Sequence, residues 1–289
     1  MIRFLVNPAS ECMPLARRLR RAFLIALILG LWAPVKILWE QKINAEQDLL
    51  RYHGVTMSRE LRDQLGQDLT IGVLSGMRSV VADYIWMVDL TIAWQKQEWF
   101  KMGGYVNLCT SLQPRSIVFW DIGGWQLAWN ASVAAGSDHT EPNVLRRYKN
   151  SQFWIQKGLD VYVRGIQNNP ESWKLWADTG FLYEQRLGDI EKRNGQHQAA
   201  WDAYHKAAYY YGEALKRPGC MTFYERWPAY MYEKAGDDQA AYQAWKDLWL
   251  SLTPEEKQQK QHAAEKIESS IRDLEKKLSI PNEKRVFPN

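Results

Sequence analysis

Asp138, His139 and Glu141 stand together in the segment GSDHTEPN, one imidazole beside two carboxylates. Such a trio could bind a divalent metal weakly, but protein metal sites draw on further His or Cys ligands at set spacings, and none follows here. Of the 5 histidines, only His197 and His205 could share a helix face. The chain has no HExxH pair, no phosphate-binding GxxxxGK loop, no GxSxG elbow and no CxxC pair. The loop trio therefore reads as solvated polar residues. The expectation is a protein that is not an enzyme and uses no cofactor and no metal.

The side chains left for specific recognition are aromatic: 15 Trp, 14 Tyr and 8 Phe in 289 residues. Three tryptophans crowd the stretch SIVFWDIGGWQLAWN. On a helix, successive residues turn by about 100°. Trp125 and Trp129 then share a face, and Trp120 lies nearly opposite. Trp120 is expected to pack inward, and the other two to line a surface.

The elements that carry these residues follow from charge and hydropathy. Net charge is +4, and the excess is local. Arg3, Arg17, Arg18, Arg20 and Arg21 face one acid, Glu11, in residues 1–21, which leaves acids and bases in balance over the rest. A nucleic-acid binder carries its basic excess on the folded part, so nucleic acid is excluded as a partner. The cluster directly precedes AFLIALILGLWAPVKILW, residues 22–39, an apolar run of about 18 residues flanked by Trp32 and Trp39. An uncleaved transmembrane anchor is the first reading; a cleaved signal peptide and a buried helix are the alternatives. With positive charge inside, the N-terminus is cytoplasmic and the bulk of the chain lies across the membrane, as in a bacterial inner-membrane protein facing the periplasm. Cys109 and Cys220, far apart in sequence, are expected to stay unpaired.

Beyond the anchor the pattern is helical. Residues 40–69 read as a helical stalk. Leu69 to Trp94 is apolar but interrupted by Arg78, Asp83 and Asp89, which marks a protein helix rather than a second span. Thr253, Pro254 and Glu256 spell the start of a C-terminal helix with a capping box. Its stripe is Ala263, Ala264, Ile267, Ile271, Leu274 and Leu278. No stretch alternates with period two, so strands are not expected.

Trp86 and Trp120 are separated by the roughly 34 residues of a helix-pair repeat. Pro114 and Pro170 fall at the ends of successive units. Small–aromatic–small triples recur as Gly158, Tyr162 and Gly165, and as Ala200, Tyr204 and Ala207. Trp176, Gly180 and Tyr183 open a third unit, and Tyr232, Gly236, Ala241 and Trp245 mark a fourth. Over residues 70–251 the chain resembles the tetratricopeptide-repeat family. It departs from the pattern by insertions in units two and three and by Asp89, Gly123 and Thr179 at the usual leucine position. The resemblance implies an all-α fold. An N-terminal transmembrane helix precedes an α-solenoid of about four degenerate helix pairs, and residues 252–289 form a cap helix and tail. It also implies a surface on the first helices of the pairs where Trp94, Asp121, Trp125, Trp129, Phe181, Glu184, Arg226 and Tyr230 bind a partner, with Tyr84 and Lys174 at equivalent offsets. The function expected is a membrane-anchored protein–protein interaction scaffold of an envelope, secretion or pilus-type assembly. The alternative is an extracytoplasmic glycan-binding protein that uses the exposed tryptophans.

Overall fold

A computed structural model describes residues 76–288. The basic tail, the expected anchor at 22–39 and the stalk at 40–69 lie outside the described residues. Within the described residues every regular element is helical, in agreement with the all-α expectation, and no helix is long and apolar enough to cross a membrane. The chain divides into two compact units. One contains residues 76–88 and 111–113 of the described part; the other contains 89–110 and 114–288.

In the first unit, α1 (Arg78–Tyr84) buries Val81 and Ala82. Gln113 Nε2 donates to the Ser79 carbonyl at 3.1 Å. A π-helical turn, Ile85–Leu90, carries the chain into the second unit, where α2 (Thr91–Gln95) follows. The stretch read as a protein helix is thus helical from Arg78 onward.

The second unit is a run of paired helices. After α2 come α3 (Trp99–Leu112), α4 (Ile117–Trp125), a π-turn at Gln126–Ala131, α5 (Ser132–Gly136) and α6 (Val144–Asn168). Next come α7 (Trp173–Leu182), a π-turn at Tyr183–Gly188, α8 (Asp189–Arg193) and α9 (His197–Leu215). A 3-10 turn at Thr222–Arg226 leads to α10 (Trp227–Ala235), α11 (Asp238–Ser251), α12 (Pro254–Gln259) and α13 (Gln261–Lys277). Polar caps set several starts. Asn143 Oδ1 accepts from the Arg146 amide at 3.1 Å, and Asp237 Oδ1 from the Ala240 amide at 3.0 Å. Gly236, at φ 78°, closes α10 in the left-handed conformation that glycine adopts without a Cβ clash. The capping box of Thr253 and Glu256 forms as the sequence indicates. The helix it starts stops at Lys260, and α13 begins anew at Gln261. From α13, Ile267, Ile271 and Leu274 join Tyr242 and Trp245 of α11 in one buried cluster.

The helices pair antiparallel through small residues. Trp120 meets Gly165, Gly124 meets Tyr162, and Ala128 meets Gly158. A Cβ built on Gly158 would stand 2.7 Å from the Gly124 carbonyl oxygen and 2.8 Å from the Ala128 amide nitrogen. Only hydrogen fits there, so the backbones of α4 and α6 come together at that point. The next pair repeats the motif. Pro114, Ser116, Trp120 and Gly124 correspond to Pro170, Ser172, Trp176 and Gly180. Each tryptophan indole donates to the carbonyl of its proline, at 2.8 Å from Trp120 and 3.0 Å from Trp176. The small–aromatic–small triple of this unit is Ala200, Tyr204 and Ala207, yet the neighbours of Gly180 are the Ala207 carbonyl and Tyr211, which lies one heptad after Tyr204. Tyr204 instead packs on Gly188. Cys109 is buried and Cys220 half-buried, and the two are not joined to each other, as expected.

Candidate interaction site

Four of the eight residues picked from the sequence come together. Trp125 and Trp129 stack with ring centroids 4.6 Å apart and planes 19° apart. Phe181 of α7 lies 5.7 Å from Trp129 and 6.3 Å from Trp125, with its plane within 22° of both. Trp94 of α2 joins Trp125 and Trp129 in lining an open groove of about 640 Å³. The other linings, Gln95, Gln97, Trp99, Asn130, Val133 and Ala134, include no charge. Trp94 is 45% exposed and Trp125 39%, whereas Trp120 is 3% exposed. Trp120 and Trp125 thus separate as the 100° step predicts, while Trp129, in the π-turn, is half-buried.

The π-turn shapes this surface. Residues in a π-turn bond i→i+5, which frees main-chain carbonyls that an α-helix would occupy. Arg186, from the corresponding turn of the next helix, reaches across to the Ala128 carbonyl at 3.2 Å and to Ser132 Oγ at 2.7 Å. Its guanidinium also covers the Trp129 ring at 5.0 Å, within cation–π range. Desolvation lowers the Arg186 pKa from its ordinary value. Sequence reasoning missed Arg186, because the role depends on a turn type with no compositional signature.

The other four picks are placed elsewhere. Asp121 pairs with Lys174 Nζ at 2.7 Å, and Lys174 also meets Asp178 at 2.6 Å. Glu184 is 2% exposed and faces inward. It accepts from Lys234 Nζ at 2.7 Å and from the Tyr211 hydroxyl at 2.9 Å. Arg226 ends the 3-10 turn, half-buried. Tyr230 packs its ring edge-on to Trp245 at 4.9 Å. Tyr84 is 50% exposed and belongs to the first unit.

Burial pushes the Asp178 carboxyl up to about 6; Lys174 opposes the shift and Asp121 adds to it. In the unfolded chain an aspartate titrates near 3.9. The folded domain thus holds this proton more tightly, and its contribution to stability, full below about pH 4, is lost as pH rises towards about 6. The loss is on the order of 1–3 kcal/mol. Asp178→Asn removes the titration and keeps an acceptor for Lys174. Urea midpoints measured from about pH 4 to about pH 7 should fall less steeply in the variant than in the parent. Equal slopes would show that Asp178 does not titrate in this range.

Among the described residues, no group of three His, Cys, Asp or Glu side chains stands close enough to hold a metal ion. Asp138 is occupied by the Thr140 amide at 2.9 Å and the Thr140 hydroxyl at 2.6 Å, and Glu141 by Arg146 at 3.0 Å. No protein-family model, no curated protein and no solved structure matches this chain.

Proposed function

We propose that the chain is a membrane-anchored scaffold of the tetratricopeptide-repeat type whose helical domain lies outside the cytoplasm. There it would hold a partner protein of an envelope, secretion or pilus-type assembly. One observation carries the reading: Trp94 and Trp125 stay 45% and 39% exposed around a single uncharged groove. Exposed tryptophans in a desolvatable groove are the side chains that supply most binding energy at protein interfaces, and apolar patches left open mark such interfaces. The membrane anchor rests on the arginine cluster before residues 22–39. A glycan would need free ring faces to stack on. Here Arg186, Trp129, Trp125 and Phe181 cover one another's faces, which favours a protein partner.

The test is crosslinked capture with the full chain from solubilised membranes of its own host. Trp94→Ala combined with Trp125→Ala should release the captured protein and leave the melting temperature of the domain nearly unchanged. Full retention by the double variant would sink the groove as the binding surface. A reporter fused after Asn289 that works only in the cytoplasm would overturn the topology.

A further inference from the structure

A second groove lies between α3 and α6 and shares no lining residue with the tryptophan groove. Its volume is about 660 Å³, and Leu127 and Val161 contribute to its lining. From α6, Phe153, Lys157, Asp160 and Arg164 project along one face, at the i, i+4, i+7, i+11 spacing that puts side chains in a row. The facing row on α3 is Phe100, Gly103, Gly104 and Asn107.

Three features of this groove have no explanation in the packing. Two adjacent glycines, Gly103 and Gly104, sit inside α3, where glycine is a poorer helix former than alanine. A Cβ on Gly104 would meet nothing within 4 Å among the described residues, so close packing does not require glycine there. What the glycine does is leave the groove open. Second, Phe100 is 75% exposed and Phe153 43%, although their rings stand 6.0 Å apart and could have closed over each other. Third, the cations make no salt bridge among the described residues, and the Asp160 carboxylate acts on Arg164 only through its charge. Arg164, half-buried, donates to Asn107 Oδ1 at 2.6 Å and to the Asp160 carbonyl at 3.3 Å, both neutral acceptors, while its plane lies 5.6 Å from the Trp120 ring. Lys157 lies 5.5 Å from the Phe153 ring. No ion pair of Lys157 or Arg164 forms among the described residues. Desolvation lowers the Arg164 pKa, and the charge of the Asp160 carboxylate opposes the shift.

We propose that this groove docks an acidic peptide segment of a partner protein, with an aromatic or aliphatic side chain against Phe100 and Phe153 and a carboxylate at Lys157 and Arg164. The two cations are two helical turns apart, about 10 Å along α6, which is the scale of a few extended residues. Asp160 stands between them and accepts from Gln156 at 3.0 Å; its remaining lone pairs suit the N–H groups of a peptide backbone. A membrane surface fits less well, since lipid-binding patches concentrate 4–8 cations and Lys157 and Arg164 are the two that line this groove. Charge complementarity and the open aromatic pair therefore favour peptide over lipid.

The experiment pans a displayed library of random peptides over the full chain in detergent micelles. Bound peptides should pair Asp or Glu with Phe, Leu or Trp. Lys157→Glu should reduce recovery of those peptides by about tenfold and shift selection towards Lys and Arg. Gly104→Leu should fill the groove and abolish recovery, with a melting temperature unchanged or raised because leucine is the better helix former. Trp94→Ala with Trp125→Ala should leave this selection intact, so the outcome is independent of the tryptophan-groove reading. The proposal is overturned if no peptide class is enriched, if enrichment lacks acids, or if Gly104→Leu selects the same peptides as the parent. Phosphatidylglycerol vesicles captured in place of peptides would equally overturn it.

Discussion

Trp120→Ala should lower the unfolding free energy of the helical domain by about 3–5 kcal/mol, the usual cost of truncating a buried large aromatic. Three kinds of contact disappear together. The indole lies against Gly165, where even one added carbon would come within 2.9 Å of Trp120 Cβ, so its removal opens space between α4 and α6 that neither helix can fill. Its N–H donates to the Pro114 carbonyl at 2.8 Å, which ties the start of α4 to the turn before it. The ring also lies under the half-buried Arg164 guanidinium. Trp125→Ala, at 39% exposure, removes one face of an open stack and should cost far less. Urea unfolding of the two variants side by side decides the matter. Equal losses would mean that the Trp125, Trp129 and Phe181 stack is core, and the groove beside it would lose its claim as a binding surface.

The inward and outward tryptophans were legible because α4 is a regular helix over Trp120 to Trp125, and a 100° step holds there. The small–aromatic–small triple Gly158, Tyr162 and Gly165 was legible as a helix-packing face, and its neighbours across the seam are Ala128, Gly124 and Trp120. The partner of Gly180 was not. Ala200, Tyr204 and Ala207 have the same spacing as Ala207, Tyr211 and Ala214, one heptad later on the same face. Composition cannot choose between two registers that both bury a tyrosine against small residues; the distance of Gly180 to Tyr211 does. Glu184 escaped for a different cause. By α-helical phase it shares a face with Phe181, three residues before. The π-turn Tyr183–Gly188 changes the angular step within that interval, and Glu184 is buried where the aromatic ring is half exposed. Asp121 was placed near the stack by its repeat offset, yet a lysine and a second aspartate hold it in an ion cluster. The pairing of three charges across two helices leaves no trace in the spacing of any one helix.

Glu184→Ala should destabilise the domain by about 3 kcal/mol or more, against a small loss for an ordinary surface glutamate. The carboxylate is 2% exposed and satisfied on both oxygens, by Lys234 Nζ at 2.7 Å and the Tyr211 hydroxyl at 2.9 Å. Lys234 turns from there to Asp189 at 3.1 Å, and Asp189 accepts from the Tyr204 hydroxyl at 2.6 Å. One ionic cluster thus joins the π-turn, α8, α9 and α10, the seam where α9 meets α10. Tyr211 is pressed against Gly180, so without Glu184 its hydroxyl stays in place and loses its acceptor, a penalty of about 1–3 kcal/mol by itself. Lys234 keeps Asp189 and some solvent, which limits its share. Glu184→Gln retains an acceptor for Tyr211 and the packing volume, so it should recover much of the loss. That ordering, parent above Gln above Ala, is what chemical unfolding with a single set of conditions would read. An alanine variant as stable as the parent would show that the two helix pairs are held by their apolar contacts alone, with Tyr211 and Met231 of the same buried cluster sufficient to keep α9 and α10 together.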